Sequence, residues 1–408
     1  MTNSGKEIDE KPKGLRNVWI LGLVSFFTDF STEMILGILP TFIVNNLGAS
    51  KAILGAIEGS SELTSYAFRM ISGSLSDKVR KRKIFVVIGY GLSTISKPFF
   101  IAATTWLDAF IVRAIDRVGK GVRTAPRDAL LADSVSESIS GKAFGIHRTI
   151  DQLGAIVGPL AAVAILQVSD IQSVFLLSLI PGAIAVLILI FFVKEAATKK
   201  LASTSSIFGN IGDLLKRNKP FVFLIIITGI FSLGAFNFSF ILLKASEAGV
   251  DQSFIPIVYA VINIAHTIIG IPAGILADRI GKDKVLLIGY GVFVFSTILM
   301  IVSTNNPFFA YILATVFGLY VGIFETIQRA IIPKYVTTEL RGTAYGLYSI
   351  VTGVSFFTSN TTFGIIWDIY DIQAAVAYSL VLSLAAIIGM MCFIRQYSNK
   401  DKTEISLR

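Results

Sequence analysis

Long apolar stretches separated by short polar segments run through the whole chain. A helix that crosses a membrane needs roughly 20 mostly apolar residues, and such segments follow one another twelve times. The pattern therefore predicts twelve membrane spans, near residues 17–46, 51–76, 83–104, 106–130, 141–167, 171–193, 220–243, 252–277, 284–303, 306–332, 340–367 and 372–394. Spans 4 and 5 are the most polar, and we expect hydropathy alone to score them poorly.

The two halves of the chain repeat each other. Segment 73–83 (GSLSDKVRKRK) is matched about 200 residues later by segment 274–284 (GILADRIGKDK). A repeat of half the chain length indicates a duplicated bundle, an arrangement in which many transporters hold a site between two halves. The predicted fold class is an all-α membrane protein with two pseudo-symmetric six-helix bundles. The predicted divisions are a tail at 1–16, a bundle at 17–193, a linker at 194–219, a bundle at 220–397 and a tail at 398–408.

The linker has apolar residues at helical spacing, followed by basic residues. This pattern predicts a helix that lies in the membrane interface, and a solvated linker is the alternative. The apolar residues are Ile207, Phe208, Ile211, Leu214 and Leu215.

Composition supports a membrane location. The chain is 53% hydrophobic and 15% charged, whereas soluble proteins carry roughly 25% charged residues. The net charge of +9 does not indicate a nucleic-acid partner, because the basic residues lie in short segments between spans, where they set topology. With both termini in the cytoplasm, about 25 Lys and Arg are cytoplasmic and about two are external. We therefore expect a multi-pass protein of the cell (inner) membrane, whose first apolar run is a retained span rather than a signal peptide.

Several kinds of chemistry are not indicated. Cys392 is the single cysteine, and the two histidines, His147 and His266, are far apart, so we expect no disulfide and no metal site. A nucleotide-binding G-x-x-x-x-G-K-(S/T) motif is absent from the sequence, which excludes ATP as an energy source within this chain. We predict no cofactor and no enzymatic activity.

A stripe of charged residues runs along predicted span 4. Its members are three or four residues apart, which places them on one face of a helix: Arg113, Asp116, Arg117, Lys120, Arg123 and Arg127. Charges within a bilayer are costly, so this face must meet acidic partners or a water-filled cavity. The stripe is an anion-attracting wall, a charge relay that holds one gate closed, or a structural salt-bridge network between helices. Together with Glu58 on span 2 and Arg148 on span 5, the residues Arg113, Asp116 and Arg117 are the candidates for the substrate cavity.

Carboxyl groups near mid-membrane are candidates for carrying a proton. Desolvation favours the neutral form of a buried carboxyl and a neighbouring arginine favours the charged form, so a group balanced between the two can exchange a proton. The candidates are Asp29, Glu33, Glu62 and Asp151. A permanently paired carboxylate is the alternative for each.

Predicted span 5 also has a stripe of small residues. Glycines four residues apart allow close helix contact, and a proline weakens the local helix. Gly154, Gly158 and Pro159 therefore form a candidate hinge, with simple packing of the two glycines as the alternative.

The second half has few membrane charges but many aromatic residues. An adaptable apolar wall opposite the charged one is one interpretation of these residues, and a lipid-facing or core position is the other. They are Phe231, Phe236, Phe238, Phe240, Phe356 and Phe357.

The repeated loop after spans 2 and 8 resembles the signature loop of the major facilitator superfamily. The matching residues are Gly73, Asp77, Lys78, Arg82, Gly274, Asp278 and Arg279. Segment 113–121 (RAIDRVGKG) is similar to that family's fourth-helix motif, and Gly154 to Pro159 resembles the fifth-helix motif of its proton-coupled exporters. The chain departs from the pattern at Arg80, which replaces a glycine, and at Ala162 and Val163, which replace a glycine pair. The resemblance covers about residues 15–397.

The resemblance implies a twelve-helix secondary transporter that works by alternating access. It also implies that Asp77 and Asp278 are gate residues, each contacting a helix N-terminus of the opposite half, near Gly342 and Gly141, in the outward-facing state. We expect proton-coupled efflux of small organic molecules. A carrier of organic anions that uses the membrane arginines is the alternative, and a transporter-like receptor is a third. The expected partners are the lipid bilayer, a small-molecule substrate and protons, with the protein acting as a monomer.

Overall fold

The computed structural model describes residues 15–136, 139–195, 211–302, 306–337 and 340–398. The predicted tails lie outside these ranges except for Leu15, Arg16 and Ser398, and so do Ile207 and Phe208 of the predicted linker. The described residues form helices and turns and contain no β-strand.

Six long helices make up the first half of the chain. They are α1 (Arg16–Asn46), α2 (Lys51–Val79), α3 (Arg82–Ala102), α4 (Trp106–Asp133), α5 (Ser140–Leu166) and α6 (Ile171–Phe192).

Six more helices make up the second half. They are α7 (Lys219–Glu247), α8 (Gln252–Ile280), α9 (Lys282–Val302), α10 (Pro307–Tyr335), α11 (Arg341–Ile369) and α12 (Ile372–Tyr397). Twelve helices stand where the twelve spans are predicted, each boundary to within four residues.

Nine of these helices are long and apolar enough to cross a membrane by composition, within the described part of the chain. We expected hydropathy alone to score span 5 poorly. This expectation is wrong, because α5 is among the nine. The polar helices are α4, as predicted, and also α2 and α11. Both helices are rich in serine and threonine, and α2 also carries several charged residues.

The short linker helix (Ile211–Arg217) precedes α7. Leu214 on it is fully buried, whereas Leu215 is exposed, so one apolar face packs on the bundle through α7 and α11. Its position in the membrane interface stays a prediction.

Matching interruptions occur in α1 and α7, the first helices of the two halves. The α-helical turns of α1 end at Leu36 and resume at Leu39, where Pro40 lacks a backbone N–H to continue the ladder. In α7 the break falls at residues 235–237, where the backbone N–H of Asn237 donates to the side chain of Asn360 on α11 at 2.8 Å. A side chain thus accepts a hydrogen bond from backbone that the break exposes.

The two ends of the bundle differ in how the halves meet. We call the end where α1 begins and α12 ends the tail end, and the opposite end the loop end. At the loop end, the Asp368 carboxylate accepts hydrogen bonds from the backbone N–H groups of Lys51 (3.1 Å) and Ala52 (2.8 Å), and Lys51 pairs with Glu247 at 3.4 Å. These contacts join the N-terminus of α2 to the second half.

Close backbone packing extends this seal. A side chain added at Gly55 of α2 would lie 2.1 Å from the carbonyl oxygen of Asn360, and one added at Gly364 of α11 would lie 2.3 Å from that of Lys51. At the tail end, by contrast, Gly141, Gly145 and Gly342 have open space where a side chain would be. The halves are therefore packed together at the loop end and apart around these glycines at the tail end.

Candidate functional site

A cavity of about 410 Å³ lies between the two halves. Residues of α1, α2, α4 and α5 line it on one side, and residues of α7, α8, α10 and α11 line it on the other. Its wall extends along α4 from Arg113 to Asp128 and along α2 from Glu62 to Arg69, toward the tail end. The volume is in the range of pockets that hold small organic molecules, roughly 300–1,000 Å³.

The cavity wall is chemically asymmetric. Among the described lining residues, thirteen charged side chains come from the first half, and Glu325 is the single one from the second. The second half contributes aromatic residues instead, including Phe236, Phe238, Phe317, Phe324 and Phe356. Of the six phenylalanines proposed from the sequence, Phe236, Phe238 and Phe356 line the cavity. Phe231 and Phe240 are fully buried, so the core interpretation holds for these two, and Phe357 packs against Gly59 of α2.

The first two arginines of the α4 stripe are each held by carboxylates. Arg113 donates to Glu58 at 2.9 Å and lies 3.5 Å from Asp116, and all three side chains are buried. Arg117 lies 3.5 Å from Asp116 and 3.8 Å from Glu62. Both guanidinium groups reach the cavity wall, yet both are already neutralised, so the salt-bridge interpretation describes Arg113 and Arg117 better than a vacant anion site.

The next residues of the stripe differ from each other. Arg127 pairs with Asp128 at 2.8 Å and also reaches Ser25. Arg123 is buried and stacks its guanidinium on the Tyr90 ring at 4.5 Å. Lys120 is exposed on the cavity wall, within electrostatic range of Asp29, Glu33 and Glu62. Arg113, Arg117 and Arg127 are thus paired with carboxylates, whereas Lys120 and Arg123 between them have no carboxylate within 4 Å among the described residues.

The carboxyl groups of Asp29 on α1 and Asp151 on α5 lie close to each other. Two carboxylates repel each other, and neither has a hydrogen to donate, so a hydrogen bond between these groups would require one shared proton. The close approach of the helices follows from glycine: a side chain at Gly154 would lie 2.3 Å from the carbonyl oxygen of Phe26. Both carboxyl groups line the cavity.

Arg148 connects this carboxyl pair to the opposite half. Its guanidinium donates to Asp151 at 3.1 Å and to Glu325 of α10 at 3.2 Å. His266 Nε2 on α8 lies 3.5 Å from the same Glu325 carboxylate. Arg148 therefore contacts both Asp151 of the carboxyl pair and Glu325 of the second half.

Two further polar contacts cross between the halves near mid-membrane. Tyr259 of α8 donates its hydroxyl to the Glu33 carboxylate at 2.5 Å. The side-chain amide of Asn263, one turn further along α8, donates to the backbone carbonyl of Ala155 at 2.9 Å. Glu33 is thus bound by the second half, unlike Glu62, which faces Arg117 within the first half.

The predicted gate residues lie at the tail end. Asp77 is bonded to Arg82 at 3.3 Å, and Arg82 also pairs with Asp133 at the end of α4. Lys78, Asp278 and Arg279 are exposed. Gly73 and Gly274 have neighbours no closer than 3.3 Å to an added side chain, so neither is forced to be glycine by packing. Gly141 and Gly342 have open space where a side chain would be, and the contacts predicted for Asp77 and Asp278 near them stay a prediction.

The candidate hinge residues hold α5 against α1. A side chain at Gly158 would lie 2.6 Å from the carbonyl oxygen of Phe30, which matches the close contact at Gly154. Pro159 lies inside a helix that runs without interruption from Ser140 to Leu166. The packing alternative accounts for both glycines in this state, and a hinge role for them stays a prediction.

Lys97 and Tyr259 are candidate residues that sequence reasoning did not single out. Lys97 is 1% exposed, and its ammonium group donates to Ser31 (2.9 Å) and Thr32 (2.8 Å) of α1. A lysine inside an apolar span is costly and by default suggests a functional role, so the sequence did carry a signal for Lys97. For Tyr259 the sequence carried no signal, since its contact with Glu33 joins residues 226 positions apart.

A duplicated twelve-helix bundle with a polar cavity between its halves defines a membrane transporter. The sequence matches the family model of the Major Facilitator Superfamily over residues 21–265 and 222–406, and the chain belongs to this family. It is a multi-pass membrane protein that transports small molecules and is not an enzyme.

Relatives and solved structures agree with this assignment. The chain is 36% identical over 385 residues to an uncharacterized MFS-type transporter of Methanocaldococcus jannaschii, covering 90% of this chain and 92% of the relative. It is 23% identical over 381 residues to the quinolone resistance protein NorA of Staphylococcus aureus, covering 91% and 95%. A mutant of the nucleoside transporter NupG superposes with a TM-score of 0.80 at 16% identity, covering 92% of this chain and 99% of NupG.

Proposed function

We propose that this protein is a proton-coupled exporter of small organic molecules that works by alternating access, with its two six-helix halves as the moving units. The observation that carries the proposal is the close approach of the carboxyl groups of Asp29 and Asp151 in the cavity wall. A proton held there is available to the cavity and lies in the space that a substrate would enter.

Arg148 provides the link between the proton and the conformation. When the Asp29–Asp151 pair holds a proton, it carries one negative charge, and Arg148 can serve both this pair and Glu325 of the second half. When the proton leaves, two carboxylates draw the guanidinium toward α5 and weaken its bond to α10. The proton thus changes a contact between the halves, which is the requirement for coupling.

The other two carboxyl candidates have more limited roles in this proposal. Glu33 contacts Tyr259 across the halves and so senses the conformation, whereas Glu62 neutralises Arg117. Asp29 and Asp151 are therefore the preferred proton carriers, with Glu33 next.

We place the tail end in the cytoplasm. The distribution of lysine and arginine supports this orientation, because basic residues concentrate in the connections at that end. The cavity wall extends toward the tail end, so in this orientation a substrate would enter the structure from the cytoplasm, as export requires. The name of NorA, a quinolone resistance protein and a relative at 23% identity, supports efflux as the direction and a quinolone as the first transport probe.

Proton flux in proteoliposomes tests the proposal. Purified protein is reconstituted with a pH-sensitive dye inside the vesicles, a pH gradient is imposed, and norfloxacin is added. We expect norfloxacin to dissipate the gradient with the native chain, and the Asp29→Asn and Asp151→Asn variants to lose at least about 90% of that rate, because an amide cannot carry the proton.

Asp251→Asn is the matched control. Asp251 caps a helix at the loop end, where it accepts a hydrogen bond from the Ser253 backbone N–H, and asparagine caps a helix equally well. This variant should transport normally. Normal gradient dissipation by the Asp29→Asn/Asp151→Asn double variant would show that the proton is carried elsewhere.

A further inference from the structure

Arg123 is a buried cation with an unsatisfied donor on the cavity wall. Its side chain is 4% exposed, its guanidinium stacks on Tyr90, and its Nη1 has no hydrogen-bond partner among the described residues. No described carboxylate lies within 4 Å of it. A guanidinium has five donors in a fixed fork and is not deprotonated in proteins, so Arg123 keeps a charge and a donor that no described carboxylate takes up.

Lys120 lies one turn before Arg123 on α4 and shares its face. Its ammonium group is exposed in the cavity, and no described carboxylate lies within 4 Å of it. Asp29, Glu33 and Glu62 attract it over longer distances. Two cations of one helix face, one buried and one reaching into the cavity, thus lack a contacting anion.

The opposite wall is suited to an aromatic ring. Phe236, Phe238, Phe324 and Phe356 line it, and Phe238 stacks on Tyr259 with ring centroids 4.5 Å apart. Aromatic rings packed against such side chains contribute both apolar burial and favourable ring–ring geometry.

We propose that Lys120 and Arg123 form an anion subsite that binds the carboxylate of a small aromatic acid, with the aromatic ring against the phenylalanine wall of the second half. The ammonium and the unpaired guanidinium N–H would each donate a charge-assisted hydrogen bond to the carboxylate. Arg113 and Arg117 do not compete for it, because Glu58, Asp116 and Glu62 already neutralise them. The subsite defines the class of substrate that the proposed exporter would carry. This inference rests on the proposed function.

Equilibrium binding to the purified full-length chain in detergent tests the subsite without any proton gradient. The probes are three molecules with the same bicyclic ring: 1-naphthoate, its neutral primary amide 1-naphthamide, and the cation 1-naphthylmethylammonium. Their affinities are measured from the concentration dependence of the thermal unfolding midpoint, since a ligand that binds the folded state raises it. We expect 1-naphthoate to bind at least about tenfold more tightly than either of the other two.

Three variants locate the binding. Lys120→Gln changes an exposed side chain and so should fold normally, and we expect it to weaken 1-naphthoate binding about tenfold while leaving 1-naphthamide unchanged. Arg123→Lys keeps the charge but loses the fork, and we expect a smaller loss. Lys216→Gln, on the exposed face of the linker helix, is the charge-matched control and should bind as the native chain does.

The proposal is wrong if 1-naphthoate does not bind, if the amide or the ammonium compound binds as tightly, or if Lys120→Gln leaves the preference for the anion intact. These outcomes are separate from proton coupling. If 1-naphthoate binds but norfloxacin drives no proton flux, the subsite stands and the exporter proposal is wrong. If norfloxacin drives proton flux but 1-naphthoate does not bind, the exporter proposal stands and the subsite is wrong.

Discussion

Arg82, at the start of α3, forms an ion pair with Asp133, the last residue of α4. The second half contains the same bridge with its charges exchanged: Asp283 of α9 pairs with Lys334 at the end of α10. Both bridges join residues 51 positions apart, and each residue of the second lies 201 positions after its counterpart. The duplication has kept the link between the third and fourth helices of each half while reversing its polarity.

The two bridges should differ in strength because their burial differs. The Asp283 side chain is fully buried and also accepts a hydrogen bond from Tyr335 at 2.7 Å, whereas the Asp133 side chain is 20% exposed. We expect a double-mutant cycle of Arg82→Gln and Asp133→Asn to give a coupling free energy of about 1 kcal/mol, and a cycle of Asp283→Asn and Lys334→Gln to give about 2–3 kcal/mol. Chemical unfolding in detergent provides the measurement. Equal coupling in both halves would contradict the burial argument.

The buried Glu58–Arg113 pair allows a test of whether Arg113 stabilises the fold or belongs to the substrate site. Removing one partner leaves a buried charge with less compensation, so Glu58→Leu and Arg113→Met should each destabilise the fold by about 3–5 kcal/mol. The double variant replaces both by apolar groups of similar volume and should be close to the native stability. We expect it also to bind 1-naphthoate with native affinity, because neither residue belongs to the proposed subsite. Loss of binding in a stable double variant would return Arg113 to the substrate site.

Two glycines of α5 offer a matched comparison of packing. Gly154→Ala would place its side chain 2.3 Å from the Phe26 carbonyl oxygen, whereas Gly145→Ala would meet nothing within 4 Å. Alanine is favoured over glycine in a helix by about 1 kcal/mol. We therefore expect Gly145→Ala to raise the thermal unfolding midpoint slightly and Gly154→Ala to lower it by several degrees. A neutral Gly154→Ala variant would mean that α1 and α5 are free to separate there, which favours the hinge interpretation.

The fold could be predicted from the sequence because the information needed is local. Runs of about 20 apolar residues, bounded by basic or turn-forming residues, mark each helix, and the repeat indicates two bundles. The acidic partners of Arg113 and Arg117 were also within reach, since Glu58 and Glu62 lie one turn apart on an adjacent predicted span.

Contacts that depend on how helices rotate against each other were not predictable in this way. The sequence positions of Asp29 and Asp151 place both near mid-membrane, but their close approach depends on the packing of α1 on α5 through Gly154. Arg148 meets Glu325 across the halves, 177 residues away, at a position that depends on the conformational state. Periodicity gives the face of one helix and does not give the partner of that face.

The orientation of the chain in the membrane can be tested with single cysteines. Replacing Cys392 by serine removes the single native thiol, and a cysteine is then introduced either at Gly342, where the tail end has open space, or at Val168, which is 87% exposed in the loop-end turn between α5 and α6. If the basic connections hold the tail end in the cytoplasm, a membrane-impermeant maleimide should label Gly342→Cys in inside-out vesicles and Val168→Cys in intact cells. The reverse pattern would invert the topology, and the cavity would then open to the outside, so the chain would take up its substrate where an exporter should release it.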